Sequence, residues 1–216
     1  MPELSPDGSA DVVLLAGGAG RRFAAQRPGV DKLTVQLCDS TLIGRLVADL
    51  QPRWRILLVG HPLAAAAAPG RVVQLREDPP GGGPLPALAA GLERAVTPAV
   101  VVLGGDQPFA ASAVPRLLAA LAADPGALAA VGVDPAGRRQ PLLSALRRER
   151  ALRVVRELAA AGGLAGRPLR ALLTPGAHGG LVEVPVSERE CLDVDVPADL
   201  ERARALLAGA PEQPGT

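Results

Sequence analysis

Cysteine is scarce. Cys38 and Cys191 are the two in 216 residues, far apart and in no CxxC pair, which excludes a disulfide framework and leaves reduced, partly buried thiols as the expectation. The two histidines, His61 and His178, stand alone without HExxH or zinc-ligand spacing, so neither is given a chemical role. No apolar run nears the roughly 18 residues that a membrane span requires, and Ala64–Ala68 is far too short. An excess of charge is also lacking: 23 basic against 22 acidic side chains give a net charge of +1, so no global field draws the chain to nucleic acid or anionic lipid. Any anion site must be local. The opening "MPELSPDGSA" has neither a basic start nor an apolar segment, so no signal or transit peptide is expected there. Together these absences predict a cytoplasmic protein with no membrane and no nucleic-acid partner.

What is present is a large apolar fraction, 48% of residues, enough for one sizeable core. A single domain is expected over residues 11–208, with a disordered lead-in at 1–10 and a disordered Pro/Gly-rich tail at 209–216. Apolar runs of strand length recur at Asp11–Ala16, Arg55–Val59, Arg71–Leu75, Ala99–Leu103 and Ala127–Val133. Most are continuous rather than alternating, as in strands covered on both faces. Helical patterns lie between them: Thr41–Leu50 behind a Ser40 N-cap, Leu85–Ala95, and Ser112–Ala123 with Ser112 as cap. The second half predicts a strand at Pro141–Ala145, a helix at Glu149–Ala160, a helical turn at Leu169–Leu173, a strand at Leu181–Val184 and a last helix at Asp199–Leu207. The arginines Arg147, Arg148 and Arg150 read as a solvated helical face. Alternating strands and helices imply an α/β fold with three layers around an open, mostly parallel sheet.

In such a sheet the site lies beyond the carboxyl ends of the strands. The loops of interest are therefore Gly17–Lys32, Glu77–Pro84, Gly104–Phe109 and Asp193–Pro197. The first, "AGGAGRRFAAQRPGVDK", has no Walker A lysine, and Phe23 stands where a dinucleotide fingerprint needs its third glycine. It fits LAGGxxxRxGxxxDK, in which Gly17 and Gly18 bring backbone N–H groups to a triphosphate while Arg22 and Lys32 neutralise it. Asp106 ends an apolar strand, where a lone carboxylate is costly unless a cation meets it, and a magnesium ligand is its natural role. In "EDPPGGGP" a chain with few side chains can edge against a flat base while Asp78 accepts N–H donors; guanine offers two such groups and cytosine one amine. Asp193 and Asp195 alternate on a strand end and point the same way, toward a metal or an acceptor phosphate, or else they cap the helix that follows.

These motifs resemble the molybdenum cofactor guanylyltransferases, MobA-like members of the wider nucleotidyltransferases with a Rossmann-like, GT-A-like fold. The likeness runs from about Asp11 to Leu207 and rests on the first loop, "EDPPGGGPLPALAAGL" at Glu77–Leu92, "VVLGGDQPF" at Val101–Phe109 and "LDVDVPADL" at Leu192–Leu200, in the same order. It implies an enzyme that uses Mg2+ to transfer GMP from GTP to molybdopterin or the molybdenum cofactor. Transient contact with other cofactor-biosynthesis proteins is implied as well. By the resemblance, Leu15, Ala16, Gly17, Gly18, Lys32, Asp78, Gly83, Pro84, Leu85 and Asp106 bind the nucleotide. Arg22, Lys32 and Asp106 act in catalysis, Asp106 with Asp195 holds the metal, and Arg167, Arg170, Asp193 and Asp195 face the acceptor. A cytidylyltransferase, a relative acting on another phosphorylated acceptor, and a non-catalytic nucleotide binder are the alternatives. The family usually has glycine at the position of Ala24 and often asparagine at 193 and 195, and "AAQRPG" lengthens the passage from Arg22 to Lys32, which would set the lysine farther from the phosphates.

Overall fold

A computed structural model describes residues 9–17, 21–26, 29–60, 72–174 and 178–209; within 21–26 the described side chains are Phe23, Ala25 and Gln26. Its strands are β1 (Asp11–Ala16), β2 (Gln36–Leu37), β3 (Ser40–Thr41), β4 (Arg55–Gly60), β5 (Val72–Leu75), β6 (Ala99–Gly104), β7 (Ala127–Val133), β8 (Arg139–Arg147) and β9 (Gly180–Pro185). The helices are α1 (Arg21–Gln26), α2 (Leu42–Leu50), α3 (Pro84–Arg94), α4 (Val114–Ala123), α5 (Arg148–Ala160) and α6 (Pro197–Leu207). The expected lead-in and tail lie almost wholly outside the described residues.

Seven strands form one sheet in the order β5-β4-β1-β6-β8-β7-β9. All neighbours are parallel except β8, which runs antiparallel to both β6 and β7. Every residue of β1 and of β6 is buried, because helices cover both faces and successive side chains alternate between two cores. Val12 and Leu14 pack with α2, α4 and α6 through Leu46, Leu117 and Leu200. Val13 and Leu15 pack with α3 and α5 through Leu88 and Leu152. On that second face α3 comes close to β1: a Cβ on Gly91 would lie 2.6 Å from Val13 Cγ1. Glycine there lets α3 lie close against β1.

The expected elements are all present among the described residues, with shifted ends. Thr41, not Ser40, caps α2, its hydroxyl accepting from Gly44 N at 3.0 Å; Ser40 is held in the β2–β3 pair. The helix expected from Ser112 begins at Val114, after a 3₁₀ turn at Ala110–Ala113, and Ser112 donates to Phe109 O and Glu190 instead of capping. Leu169–Ala171 is a 3₁₀ turn, shorter than expected. β8 outgrows Pro141–Ala145 at both ends because it has two partner strands. β5 starts at Val72, and Arg71 lies outside the described residues.

The arginines at 147–150 are not a solvated face. Arg147 ends β8, only 9% exposed, and donates to the carbonyls of Leu121, Asp124 and Ala127. Arg148 donates to Leu92 O at 2.9 Å, and Arg150 to Pro125 O and Ala127 O. These side chains satisfy backbone carbonyls left over where elements end, a need that local periodicity does not reveal.

Candidate active site

The carboxyl ends of β5, β4, β1 and β6 lie in that order along one edge of the sheet. This edge therefore sets the Glu77–Pro84 loop, Gly17 and Asp106 in a row. β5 and β6 are three strand spacings apart, about 14 Å, and Gly17 lies between.

Asp31 opens a 3₁₀ turn at Lys32–Thr34, its Oδ1 accepting from Leu33 N at 3.0 Å, so the aspartate of the "DK" pair fixes the turn and the lysine projects from it. Lys32 Nζ donates to Asp106 Oδ2 at 2.7 Å and to Asp195 Oδ1 at 2.9 Å. The lysine side chain is 13% exposed, Asp106 21% and Asp195 45%. Burial alone would lower the lysine pKa, but the charge of Asp106 and hydrogen bonds to both carboxylates outweigh it and raise the pKa. The passage through "AAQRPG" brings Lys32 onto Asp106: α1 takes up part of its length and Phe23 is buried.

Asp106 is held from both sides. Gln107, 1% exposed, accepts from Gly104 N at 3.0 Å through Oε1, which fixes the turn after β6. A Cβ on Gly104 would stand 2.6 Å from Asp106 Oδ1, so that position needs glycine if the carboxylate is to keep its place. Val194 N donates to Asp106 O at 3.0 Å and draws the 192–196 segment alongside. Asp199 Oδ2 accepts from the backbone N–H of both Asp195 and Val196, so the cap of α6 belongs to Asp199, not to Asp193 or Asp195. The Asp195 carboxylate itself faces Lys32. Asp193 keeps an exposed edge, yet its carboxyl is pushed up to about 6, first by burial of the group and then by the charges of Asp106 and Asp195; the Gln107 amide and Lys32 pull the other way.

Glu190 anchors this segment to α4. Only 7% exposed, it accepts from Arg116 at 2.8 Å, Ser187 N at 2.9 Å and the Ser112 hydroxyl at 3.0 Å. Burial would raise its pKa, but those donors outweigh it and hold the carboxyl below its ordinary value of 4.5. A depressed folded-state pKa means stabilisation that is complete above the unfolded value and is lost as pH falls through the folded one. Glu190→Gln should accordingly lie below the wild type in Tm by a constant margin at neutral pH. The margin should close as pH falls into the range below 4.5. A margin independent of pH would show that the charge contributes nothing.

The remaining expected residues fall as follows. Leu15, Ala16 and Leu85 have side chains in the core, at 7%, 5% and 0% exposure, so only their backbone can meet a ligand. Gly83 has φ 100° and precedes Pro84, the first residue of α3. Asp78 is exposed, whereas its neighbour Glu77 turns inward and accepts from Gly81 N at 3.0 Å. Arg167 and Arg170 lie on a segment packed against the Gly82–Gly83 turn, where Gly166 N donates to Gly82 O at 2.8 Å. Gly18 and the Arg22 side chain lie outside the described residues.

Asp199 serves the first turn of α6, as its place after "DVDVP" suggests, whereas Gln107 and Glu190 carry no signal along the chain because their partners are backbone groups and remote side chains. For Lys32 a signal was there. It is the single lysine among 23 basic residues.

Two carboxylate oxygens from Asp106 and Asp195 already converge on one cation, the Lys32 ammonium. Among the described residues no three His, Cys, Asp or Glu side chains gather as a metal cage. Two carboxylates short of a full cage suit Mg2+, which is usually held by one or two carboxylates together with substrate phosphates.

The sequence pattern of the MobA-like NTP transferase domain matches residues 12–179. A probable molybdenum cofactor guanylyltransferase of Chloroflexus aggregans is 34% identical over 209 residues, covering 90% of this chain and 93% of that protein. The fold is similar to that of the Archaeoglobus fulgidus molybdopterin-guanine dinucleotide biosynthesis protein A, with TM-score 0.69, 20% identity and coverage of 92% and 99% of the two chains. It is nearly as similar to the 2-C-methyl-D-erythritol 4-phosphate cytidylyltransferase of Thermus thermophilus, with TM-score 0.67, 19% identity and coverage of 93% and 99%.

Proposed function

The chain belongs to the MobA-like NTP transferase family, and from that premise we propose that this nucleotidyltransferase moves GMP from GTP to the terminal phosphate of molybdopterin or its molybdenum-loaded form. The observation that carries the reading is the meeting of Lys32, Asp106 and Asp195 at the end of β6, beside the glycine turn that ends β1. An acceptor phosphate oxygen attacks the α-phosphorus of GTP, the bond from that phosphorus to the bridging oxygen breaks, and pyrophosphate leaves. The attacking oxygen is already anionic, so no strong base is needed, and rate comes from alignment and charge stabilisation.

In this reading the backbone at Leu15, Ala16, Gly17 and Gly18 cradles the triphosphate, and Lys32 and Arg22 offset charge on the leaving pyrophosphate. Asp106 and Asp195 would hold Mg2+, which when bound would neutralise charge on the phosphates. Asp78, with the backbone of Gly83, Pro84 and Leu85, faces the base; Asp193 faces the acceptor, and Arg167 and Arg170 approach it from the Gly82–Gly83 side.

The fold does not select the base, since guanylyl and cytidylyl relatives resemble it almost equally. Selection falls to the Glu77–Pro84 loop. With Mg2+ present, GTP should raise Tm more than CTP, ATP or UTP at equal concentration, because stabilisation by a ligand rises with the logarithm of its affinity for the folded state. Asp78→Ala should diminish the GTP shift alone. Equal or larger shifts with CTP defeat the guanine assignment, and an undiminished GTP shift in the variant removes Asp78 from the base site. Pyrophosphate release with each triphosphate and a panel of phosphorylated acceptors then tests the acceptor.

A further inference from the structure

We infer that Lys32 is the resident counter-ion of the Asp106–Asp195 pair and that a divalent cation enters by displacing it, so that metal entry and release of the lysine are one event. Nζ lies 2.7 and 2.9 Å from one oxygen of each carboxylate. Mg2+ held between the two carboxylates would sit about 2.1 Å from their oxygens, in the space the ammonium now occupies. Two cations in that one space would overlap and repel. Only the side chain has to move: the turn beneath it is fixed by the Asp31 cap and by Val35 N donating to Lys32 O. The residue type suits the motion. A chain that uses arginine at every other basic position has lysine here. Its compact charge on a flexible four-carbon stem can leave, where a guanidinium would lock a carboxylate with two parallel bonds.

Where the displaced ammonium goes rests on the proposed reaction, in which the triphosphate offers it new anionic partners. Displacement itself does not. The nucleotide-free protein then has a built-in brake on metal binding, and by linkage a metal loosens the lysine as much as the lysine weakens the metal.

The test uses metal alone. Binding of Mn2+ to the full chain, followed by electron paramagnetic resonance without nucleotide, should be about tenfold tighter or more in Lys32→Met than in the wild type, a common scale for coupling between sites. Affinity that is unchanged or weaker in a folded variant overturns the inference. A second measurement needs no variant. Since Lys32 is the single lysine, an amine-acylating reagent has no other side-chain amine to modify, and mass spectrometry of the Lys32 peptide reads it directly. Saturating Mg2+ should speed acylation several-fold over K+ at matched ionic strength, the control for salt screening. Equal or slower acylation overturns the inference even if Lys32→Met fails to fold. Neither measurement contains GTP, so failure of the displacement and failure of the guanylyl-transfer reading are separate results.

Discussion

Asp106→Asn should slow pyrophosphate release about a thousandfold, equivalent to about 4 kcal/mol of transition-state stabilisation. The substitution keeps the shape of the side chain and removes the charge that would fix Mg2+ at the reacting phosphates. The structural contacts of the residue survive it: Asp106 O still accepts from Val194 N, and Lys32 keeps Asp195. Tm should therefore change little while the loss falls on the metal-dependent step. Pyrophosphate release across a Mg2+ titration, together with a melting curve, separates the outcomes. Normal turnover in a folded variant would remove Asp106 from catalysis. An unfolded variant would make it a structural partner of Lys32 and leave the metal without its principal ligand. The other role that an aspartate after a strand can play, capping the helix ahead, is not what the side chain does here, since its Oδ2 accepts from Lys32 at 2.7 Å.

Lys32→Ala should cost about 2–4 kcal/mol of transition-state stabilisation, or roughly 30- to 1000-fold in kcat/KM for GTP, the scale of losing one preorganised charge aimed at developing negative charge. Its signature is a divergence. Metal affinity without nucleotide should rise, because Asp106 and Asp195 lose their resident cation, while turnover falls and excess Mg2+ fails to restore it. A lysine that merely held the fold together would move both in the same direction, and near-normal kcat/KM would show that the ammonium never reaches the phosphates. Removing the cation takes away the charge that Lys32 sets against Asp106 and Asp195, so the variant should melt lower than the wild type and recover with Mg2+.

The sequence by itself determined the sheet and where to look on it. Strands covered on both faces must be continuously apolar, so β1, β4, β6 and β7 are legible as runs of Val, Leu, Ile and Ala, and in an α/β sheet the loops after such strands carry the chemistry. The glycine turn and the aspartate after β6 stood out in local spacing, and the motifs around them carried the resemblance to the family. Tertiary structure alone decided the rest. The antiparallel course of β8 depends on which strands it meets, and the short apolar stretch at its centre, Leu142–Leu146, reads the same in either direction. Arg147 has the composition of a surface residue and is buried because three carbonyls from α4 and the β7 end surround it. Lys32 meets carboxylates 74 and 163 residues away. Asp193 and Asp195 look alike in "DVD", yet one is pushed up to about 6 against its neighbours while the other faces the lysine. Periodicity and capping act within a few residues, whereas burial and charge act through space, so candidate residues could be named along the chain and their protonation and pairing only across the folded sheet.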